Sequence, residues 1–338
     1  MIVMGIESSC DETSVSIVAE NKTILSLCTV SDLVEHRKYG GVVPEIAARN
    51  HLEHITDLVS LALFEANLDL ERVDAFAVTA GPGLIGGLIV GVMTAKALAS
   101  AMKKPCIAVN HLEAHVLTIR LVEDIDFPYI SLLISGGHCQ FLEVLGVGKY
   151  RKLGGTIDDA LGETFDKVAK MLNLSYPGGP AIEKLAAFGD KYAYDFPKPL
   201  LKEKSCDFSF AGLKTAIKRT VDKLEDVERE KADICASFQR TVVQILQEKI
   251  KHAVRVSRVQ NNRAFVVSGG VASNLYIRQE LDETLKSLNF QLYTPPLSLC
   301  TDNAAMVAWT GVERFRLGLV DELSFAPKPR WPLDIYLS

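Results

Sequence analysis

Two histidines four residues apart are the residues whose spacing most directly suggests chemistry. His111 and His115 lie in the segment Asn110-His111-Leu112-Glu113-Ala114-His115, which follows an apolar run. On a helix this spacing puts both rings on one face, where they can share a metal ion, although two ordinary surface histidines give the same pattern. Asp302, near the start of the last predicted helix, is a candidate third ligand, or else an aspartate that pairs with the helix dipole. Two histidines and one carboxylate suit zinc or ferrous iron, and the pattern does not choose between these metals.

Glu113 decides whether this segment is a peptidase motif. A zinc peptidase needs glutamate immediately after the first histidine, in the order H-E-x-x-H. Glu113 lies two residues after His111, about 200° around the helix, where it cannot easily act as the base for the same metal. With Asn110 at the N-cap and Glu113 at the third helical position, the segment resembles a capping box. The sequence therefore argues against a peptidase.

Turns of small residues are the second feature that could bind a ligand. Ile6-Glu7-Ser8-Ser9 and Ile134-Ser135-Gly136-Gly137 each join two apolar runs, and Val267-Ser268-Gly269-Gly270 opens onto a predicted helix. Small residues expose backbone N–H groups, so each turn is a candidate phosphate cradle, although a single turn of this kind is more often a plain connection. Their repetition at the start of each half of the chain predicts a duplicated nucleotide-binding fold.

Alternating apolar patterns predict the elements that position these residues. Strand and helix patterns alternate, which is typical of an α/β fold. The predicted strands are near 2–8, 13–19, 24–30, 74–80, 105–109, 129–134, 139–145 and 264–267. Predicted helices lie near 44–67, after the Gly81-Pro82-Gly83 turn, and near 158–172, 179–188, 209–223, 228–257, 271–286 and 301–317.

Composition limits the class of protein. The chain has 338 residues, of which 37 are Lys or Arg and 42 are Asp or Glu, giving a net charge of −5. Apolar residues make up 48%, the usage of a soluble globular protein, which excludes collagen-like, disordered and disulfide-scaffold classes. At roughly 100–200 residues per domain the length predicts two lobes. The net charge argues against a strongly cationic nucleic-acid binder, although a local patch can still be basic.

Cysteine usage and hydropathy predict the compartment. The seven cysteines form no C-x-x-C pair, which favours reduced thiols. Residues 1–7 enter a strand pattern at once, without a basic or Arg- and Ser-rich presequence. The most apolar stretch, residues 84–102, contains Lys96 and several glycines, which favours a buried helix over a membrane span. We expect a cytoplasmic protein with no membrane association.

Several separate motifs follow the order found in one known family and span nearly the whole chain. They are Glu7-Ser8-Ser9-Cys10-Asp11-Glu12-Thr13-Ser14, the His111/His115 pair, Ser135-Gly136-Gly137-His138, Tyr176-Pro177-Gly178-Gly179-Pro180, Gly269-Gly270-Val271-Ala272-Ser273-Asn274 and Thr301-Asp302-Asn303. On these motifs the chain resembles the TsaD (YgjD/Gcp) family of tRNA threonylcarbamoyladenosine enzymes. The opening motif and the histidine of Ser-Gly-Gly-His resemble the bacterial and mitochondrial branch of that family.

The resemblance implies an ASKHA (actin/sugar-kinase/Hsp70-like) fold, with two duplicated lobes around a nucleotide cleft. We expect an N-terminal lobe of residues 1–108, joined by a C-terminal helix near 301–325, and a second lobe of residues 109–300 with helical insertions. The implied reaction transfers threonylcarbamoyl from L-threonylcarbamoyl-adenylate to N6 of adenosine 37 in tRNA and releases AMP. In t6A biosynthesis this is an acyltransferase step.

The resemblance also assigns residues to roles. It implies that His111, His115 and Asp302 hold the metal, Fe²⁺ or Zn²⁺. The phosphate and carbamoyl portion of the adenylate is expected to contact Ile134, Ser135, Gly136, Gly137 and His138. The adenosine and ribose are expected to contact Asp166, Gly179, Glu183 and Asn274. Asp11 or Glu12 could orient the attacking amine or accept its proton, and turn formation and capping are the alternative role of both residues.

Partners and competing functions complete the set of expectations. Two basic runs, within residues 198–223 and 249–263, are candidates for a tRNA-phosphate surface, although such runs are usually solvated helix faces. The resemblance implies a TsaB-like ASKHA paralogue, a TsaE-like P-loop ATPase and an upstream TsaC-like synthase, while mitochondrial relatives act as homodimers. An ASKHA-fold small-molecule kinase is the alternative enzyme, but it leaves the histidine pair unexplained. A catalytically silent partner subunit is the alternative of a different class.

Overall fold

The computed structural model describes residues 1–31, 36, 41–259 and 262–334, where strands and helices alternate. The strands are β1 (Ile2–Glu7), β2 (Glu12–Ala19), β3 (Ile24–Ser31), β4 (Ala75–Gly81), β5 (Cys106–Asn110), β6 (Tyr129–Ile134), β7 (Cys139–Gly146), β8 (Lys149–Gly155), β9 (Ala264–Ser268) and β10 (Gln291–Tyr293). The helices are α1 (Pro44–Ala66), α2 (Ile85–Met102), α3 (His111–Leu117), α4 (Ile119–Val122), α5 (Leu161–Met171), α6 (Gly178–Ala186), α7 (Ala211–Val221), α8 (Val227–Val256), α9 (Leu275–Ser287) and α10 (Ala304–Arg316).

A mixed sheet organises the first of two compact units, which comprises Met1–Ile125, Gly146–Tyr150 and the chain from Thr301 onward. Its strand order is β3-β2-β1-β4-β5. β1, β2 and β3 pair antiparallel, and β4 and β5 add in parallel beyond β1. β4 and β5 are buried at every residue, as expected of parallel strands covered on both faces.

Helix α10 reaches this sheet at a glycine. A Cβ on Gly5 of β1 would lie 2.5 Å from the backbone nitrogen of Ala308, so glycine permits the close approach of helix and strand. The approach fixes the start of α10, where Asn303 is the N-cap and accepts a hydrogen bond from the Met306 amide. Asp302 is held immediately before this cap.

The second unit, Asp126–Leu145 and Arg151–Cys300, repeats the same sheet. Its strand order is β10-β9-β6-β7-β8, in which β6 and β7 pair antiparallel and β9 and β10 add in parallel beyond β6. Phe141, Phe208 and Phe265 form part of its buried aromatic core. Because the two sheets share one strand order, the predicted duplication is confirmed.

Two turns occupy equivalent places in the repeat. Residues 7–12, here called the acidic turn, connect β1 to β2, whose last ladder pair is Glu7 with Ser14. Residues 135–138, here called the glycine turn, connect β6 to β7, whose last pair is Ile134 with Cys139. Both turns join the strand pairs that the sequence predicts.

Helix α2 packs through its glycines, as predicted, but only on one side. Cβ atoms on Gly87 and Gly91 would collide with Ser8 of the acidic turn, so these glycines allow α2 to approach β1 closely. Within the described residues α2 is the helix long and apolar enough to cross a membrane, and a third of it is buried. Its other side exposes Ile85, Ile89 and Met93.

Some elements differ from the prediction. The third small-residue turn does not open directly onto an α-helix: a 3₁₀ turn, Gly270–Ser273, comes first, and α9 begins only after Asn274 caps it. α10 begins at Ala304 rather than at residue 301 because Asn303 is its cap. The sequence patterns do not predict two of the strands. These are β8, which includes the charged residues Lys149, Arg151 and Lys152, and β10, which has only three residues.

Candidate functional site

His111, His115 and Asp302 come together in the first unit. The Nε2 atoms of His115 and His111 lie 3.0 and 3.5 Å from Oδ1 of Asp302, and the two ring centroids are 4.7 Å apart. One possible ligand atom from each residue lies within 4.8 Å of the others. A two-histidine, one-carboxylate cluster of this size is compatible with a metal ion.

Local structure explains how the two histidines reach this position. Asn110 ends β5, and its side-chain oxygen accepts hydrogen bonds from the amides of Leu112 and Glu113, which starts α3 at once. This N-cap confirms the predicted role of Asn110. His111 and His115 then occupy the first and fifth positions of α3, on one face, where they meet Asp302 from the start of α10.

Glu7 supports this cluster, and the sequence analysis assigned it no such role. Its buried carboxylate accepts hydrogen bonds from the Ser9 amide at 2.7 Å and the Thr79 hydroxyl at 2.5 Å, and lies 3.1 Å from Nδ1 of His111. When Nδ1 of His111 carries the proton, the lone pair of Nε2 is free on the side of the ring that faces Asp302. The available signal was a charged residue ending an otherwise apolar strand, Ile2–Glu7.

The charges of the cluster suit a cation. Burial acts to lower the pKa of His111, but Asp302 and Glu7 outweigh it and raise that pKa well above the usual value. Burial acts to raise the pKa of Asp302, but His111 and His115 hold that pKa well below its usual value. Two carboxylates beside two imidazoles therefore require positive charge, which either a proton or a divalent ion can supply. The donor set fits such an ion.

Asp11 and Glu12 are half-buried in the acidic turn, in the same unit as the cluster. Burial, followed by the charges of Asp302 and Asp11, raises the pKa of Glu12 well above its usual value. A raised pKa of this kind means that the surroundings disfavour the charged carboxylate, and such perturbed carboxyl groups are common at functional sites. The structure therefore brings Glu12 into the electrostatic reach of Asp302.

The predicted role of Glu113 in a capping box is wrong. Its buried carboxylate accepts hydrogen bonds from the Gly148 amide at 3.0 Å and the Tyr150 hydroxyl at 2.9 Å, and pairs with Arg314 at 3.0 Å. These partners come from distant parts of the chain, and they compete successfully with the local contact that the sequence pattern suggests. Glu113 stays away from the metal-compatible cluster, as expected from its place on α3.

The glycine turn of the second unit presents open backbone. The Ser135 amide donates to the His138 carbonyl at 2.8 Å, and the His138 amide donates to the Ser135 hydroxyl at 3.1 Å. Gly136 and Gly137 are exposed, and a Cβ on either would meet nothing within 4 Å. The start of α5 is hydrogen-bonded to the turn, because the amides of Gly162 and Glu163 donate to the carbonyls of Ser135 and Gly136.

The residues expected to contact adenosine lie on helices that hydrogen bonds connect to one another. Asp166 of α5 accepts a hydrogen bond from the Gly178 amide at the start of α6. Glu183 of α6 accepts one from the Leu275 amide at the start of α9. Gly179 has open space where its side chain would be. The structure therefore connects Asp166, Gly179 and Glu183 through α6.

Asn274 is the fourth residue expected to contact the adenosine, and it makes hydrogen bonds within the second unit. Its side-chain oxygen caps α9 by accepting from the Ile277 amide at 2.9 Å, and its amide donates to Gln239 at 2.6 Å. Gln239 is buried on α8 and was not among the predicted residues. Nothing in its local sequence distinguishes it, because its role depends on α9 lying beside α8.

The basic runs are only partly available to a ligand. Lys249 is 1% exposed, and its ammonium donates to the carbonyls of Leu200 at 2.8 Å and Ser205 at 2.9 Å, so its predicted place on a phosphate surface is wrong. Lys198 and Lys214 are half-buried and pair with aspartates. Residues 260 and 261 of the second run lie outside the described residues. The exposed members are Lys202, Lys204, Lys218, Arg219, Lys223, Lys251, Arg255, Arg258 and Arg263.

Comparison with known sequences gives full-length matches. A protein-family model described as TsaD, tRNA N6-adenosine threonylcarbamoyltransferase, matches residues 23–309. A protein of Rhodospirillum rubrum with that description is 55% identical over 342 residues, covering 98% of this chain and 94% of its own length. A Rickettsia bellii protein with the same description is 53% identical, covering 98% of each. A Wolbachia protein, also so described, is 52% identical and covers 99% of each.

Comparison with solved structures concerns the fold. HypF of T. kodakarensis superposes with a TM-score of 0.62 at 14% identity, covering 94% of this chain and 48% of that one. A ROK hexokinase of Thermus thermophilus gives 0.52 at 15% identity, covering 94% and 99%. Component A of (R)-2-hydroxyglutaryl-CoA dehydratase from Acidaminococcus fermentans gives 0.53 at 17% identity, covering 91% and 96%. The predicted α/β fold of the ASKHA type is confirmed.

Proposed function

The chain belongs to the TsaD family of tRNA N6-adenosine threonylcarbamoyltransferases, and from this premise we propose which of its residues carry out the transfer. It is a transferase of t6A biosynthesis, and tRNA is its substrate. The proposed donor is L-threonylcarbamoyl-adenylate, and the proposed site of action is the cytoplasm. The observation that carries the proposal is the convergence of His111 and His115 of α3 with Asp302, which lies immediately before the cap of α10.

These three residues would hold one divalent ion, Fe²⁺ or Zn²⁺, with one ligand atom from each. Glu7 supports this role, because a proton shared between Nδ1 of His111 and Glu7 fixes the ring orientation. When bound, the ion supplies positive charge that stabilises negative charge developing as AMP departs.

The glycine turn receives the phosphate and carbamoyl portion of the adenylate. Gly136 and Gly137 are exposed and have open space where side chains would be, which leaves room for an anion beside the backbone of the turn. Asp166, Glu183 and Asn274, linked to the turn through α5, α6 and α9, contact the adenosine. The residues supporting this placement all belong to the second unit.

Glu12 accepts the proton that the amine loses. The exocyclic amine of adenine is a weak nucleophile because its lone pair is delocalised into the ring, so the acyl carbon must be activated as a mixed anhydride with AMP. The N6–C bond forms, the acyl–oxygen bond to phosphate breaks, and the N6 proton moves to Glu12 while Asp11 orients the amine. Burial, Asp302 and Asp11 raise the pKa of Glu12, and perturbed carboxyl groups of this kind are typical of functional sites.

Nucleoside mass spectrometry tests the function. The full chain is incubated with threonylcarbamoyl-adenylate and unmodified tRNA, with and without partner subunits, and the digested tRNA is analysed for threonylcarbamoyladenosine. Product is expected, and its absence under both conditions would favour the silent-subunit alternative. Glu12→Gln and Asp11→Asn should slow single-turnover transfer while adenylate binding survives. Unchanged transfer in both variants would remove the acidic turn from the chemistry.

A TsaB-like ASKHA paralogue binds the exposed side of α1 and α2. Leu52 on α1 and the stripe of Ile85, Ile89 and Met93 on α2 are each about half exposed or more, and the two helices pack together where Gly86 meets Ala48. Exposed apolar residues at i, i+4 and i+8 on one helix are typical of a helix-mediated interface. A TsaE-like P-loop ATPase is a further proposed partner.

Light scattering of the purified chain with the paralogue tests this face. Ile89→Ser combined with Met93→Ser should abolish the heterodimer, and Leu297→Ser, an equally exposed leucine of the second unit, should not. A dimer of the chain alone that the same double substitution disrupts would assign the face to a second copy instead.

The exposed lysines and arginines of the two basic runs contact tRNA phosphates. Lys202, Lys204 and Arg219 are exposed, which supports this role. Lys249 belongs to the same basic runs but is buried, so it serves as the control for the exposed residues. Filter binding should weaken steeply with salt, and charge reversal of the three exposed residues should weaken it further. Binding that ignores both changes would exclude these runs as the tRNA surface.

A further inference from the structure

Buried His51 lies beside the acidic turn and is not part of the metal-compatible cluster. It occupies the inner face of α1, with no exposed side-chain area. A buried imidazole is costly unless both ring nitrogens have partners. Its Nδ1 lies 2.8 Å from the Thr13 hydroxyl, and its Nε2 lies 3.1 Å from the Cys10 carbonyl oxygen. Both partners belong to the segment that carries Asp11 and Glu12.

The chemistry of the partners settles which ring nitrogen is a hydrogen-bond donor. A carbonyl oxygen can only accept, so Nε2 carries a proton and donates it to Cys10. In the neutral ring Nδ1 then accepts from the Thr13 hydroxyl. One hydrogen bond holds the backbone of Cys10, one residue before Asp11 and Glu12, and the other holds the side chain of Thr13, one residue after them.

Helix α2 keeps the ring in place. A Cβ on Gly87 would lie 2.9 Å from Cδ2 and Nε2 of His51, so α2 closes directly over the imidazole. The same helix holds the beginning of the turn, because the Ser8 hydroxyl donates to the Gly87 carbonyl at 2.9 Å and the Leu84 amide donates to the Ser9 carbonyl at 2.8 Å. The second half of the turn is held by α1 through His51.

We propose that His51 is a positioning residue for threonylcarbamoyl transfer, holding Asp11 and Glu12 in place through the Cys10 carbonyl and the Thr13 hydroxyl. The inference rests on the proposed roles of Asp11 and Glu12. A displacement of about 1 Å at a reacting group can slow a reaction about 100-fold without affecting the binding of its substrates. Loss of His51 should therefore lower kcat and leave KM nearly unchanged.

Steady-state and single-turnover transfer by the full chain, with its partner subunits present, test the proposal. His51→Ala should lower kcat about 10- to 100-fold with the KM values for tRNA and adenylate and the bound-metal content unchanged. His51→Gln, whose amide can still donate to the Cys10 carbonyl, should recover at least part of the loss. His54→Ala, a histidine one turn along α1, should retain the wild-type kcat. A wild-type kcat in His51→Ala, or a loss confined to KM, would overturn the proposal.

Three further variants keep the result interpretable. Thr13→Val preserves the shape of the side chain and the ring while removing the hydroxyl, so it should lower kcat several-fold even if His51→Ala does not fold. Wild-type kcat in both Thr13→Val and His51→Gln, or no recovery by His51→Gln over a folded His51→Ala, would also count against positioning. Glu12→Gln and Asp11→Asn are measured alongside. Absence of product from the wild-type chain defeats the proposed function, and normal transfer in these two variants defeats the proposed roles of Asp11 and Glu12. Slow transfer in them with a normal His51→Ala defeats only the positioning role.

Discussion

The acidic turn and the glycine turn occupy the same place in two sheets of equal strand order, but they differ in almost every other property. In the acidic turn Glu7, Ser8 and Ser9 are buried, and α2 lies against them. In the glycine turn Gly136 and Gly137 are exposed, and a Cβ on either would meet nothing within 4 Å. Duplication has therefore kept the backbone position while the side chains and neighbouring helices have diverged.

Under the proposed function, the difference gives one turn position two ways to serve chemistry. The acidic turn supplies side-chain charge: Glu7 orients His111, and burial tunes Glu12. The glycine turn supplies backbone groups, which need open space more than they need neighbours. Crowding is necessary for the first role and harmful to the second, so substitutions at matched positions should have opposite consequences.

Removing the carboxylate that contacts both histidines should have the largest effect. Asp302→Ala deletes a proposed ligand and leaves two imidazoles without their shared partner. We expect loss of bound metal and a fall of at least about 100-fold in the single-turnover rate, the scale of losing a principal electrostatic stabiliser. Metal analysis and rapid-quench transfer assays measure both. Asp57→Ala, on the exposed side of α1, is the control, and a metal-loaded, fully active Asp302→Ala would contradict the assignment.

Neutralising Glu7 should have the next largest effect, because it separates charge from shape. Glu7→Gln keeps the size of the side chain that contacts Ser9, Thr79 and His111 but removes its charge. Metal affinity should fall about 10- to 100-fold, the usual cost of losing a hydrogen-bonded carboxylate behind a ligating histidine. Competition with a chelating dye measures the affinity, with exposed Glu53→Gln as control. Equal affinities would mean that the acidic turn does not tune the ligands.

Adding one methyl group to each region should separate crowded from open backbone. In Gly87→Ala the new Cβ meets the Ser8 carbonyl and the ring of His51, so we expect destabilisation by about 1–3 kcal/mol, as for overpacked cores. In Gly137→Ala the new Cβ meets nothing, so the free energy of unfolding should change by less than about 0.5 kcal/mol. Urea unfolding of both variants measures the difference. Equal destabilisation would show that the two turns are similarly packed.

The same contrast explains what could be predicted from the sequence. Local patterns predicted the strand pairs around both turns, the Asn110 cap and the spacing of His111 and His115, because each depends on residues within a few positions. The partners of Glu113 and Lys249 depend on distant segments: Arg314 lies 201 residues from Glu113, and Leu200 lies 49 residues from Lys249. Local patterns contain no information about such contacts. The sequence therefore predicts a capping role for Glu113 and an exposed phosphate contact for Lys249, and both predictions are wrong.

Nucleotide affinity provides the smallest and most selective measurement, because it concerns only the open turn. Gly137→Ala leaves the turn folded but places a methyl group in the space where the phosphate is proposed to lie. We expect the Kd of an adenine nucleotide to rise about tenfold, equivalent to about 1.4 kcal/mol, while the metal content stays unchanged. Gly41→Ala, at an equally open glycine of the first unit, should leave the Kd unchanged. Isothermal titration calorimetry makes the comparison. If Gly137→Ala binds nucleotide like the wild type, the openness of the glycine turn does not reflect nucleotide binding, and the contrast between the two turns would concern packing alone.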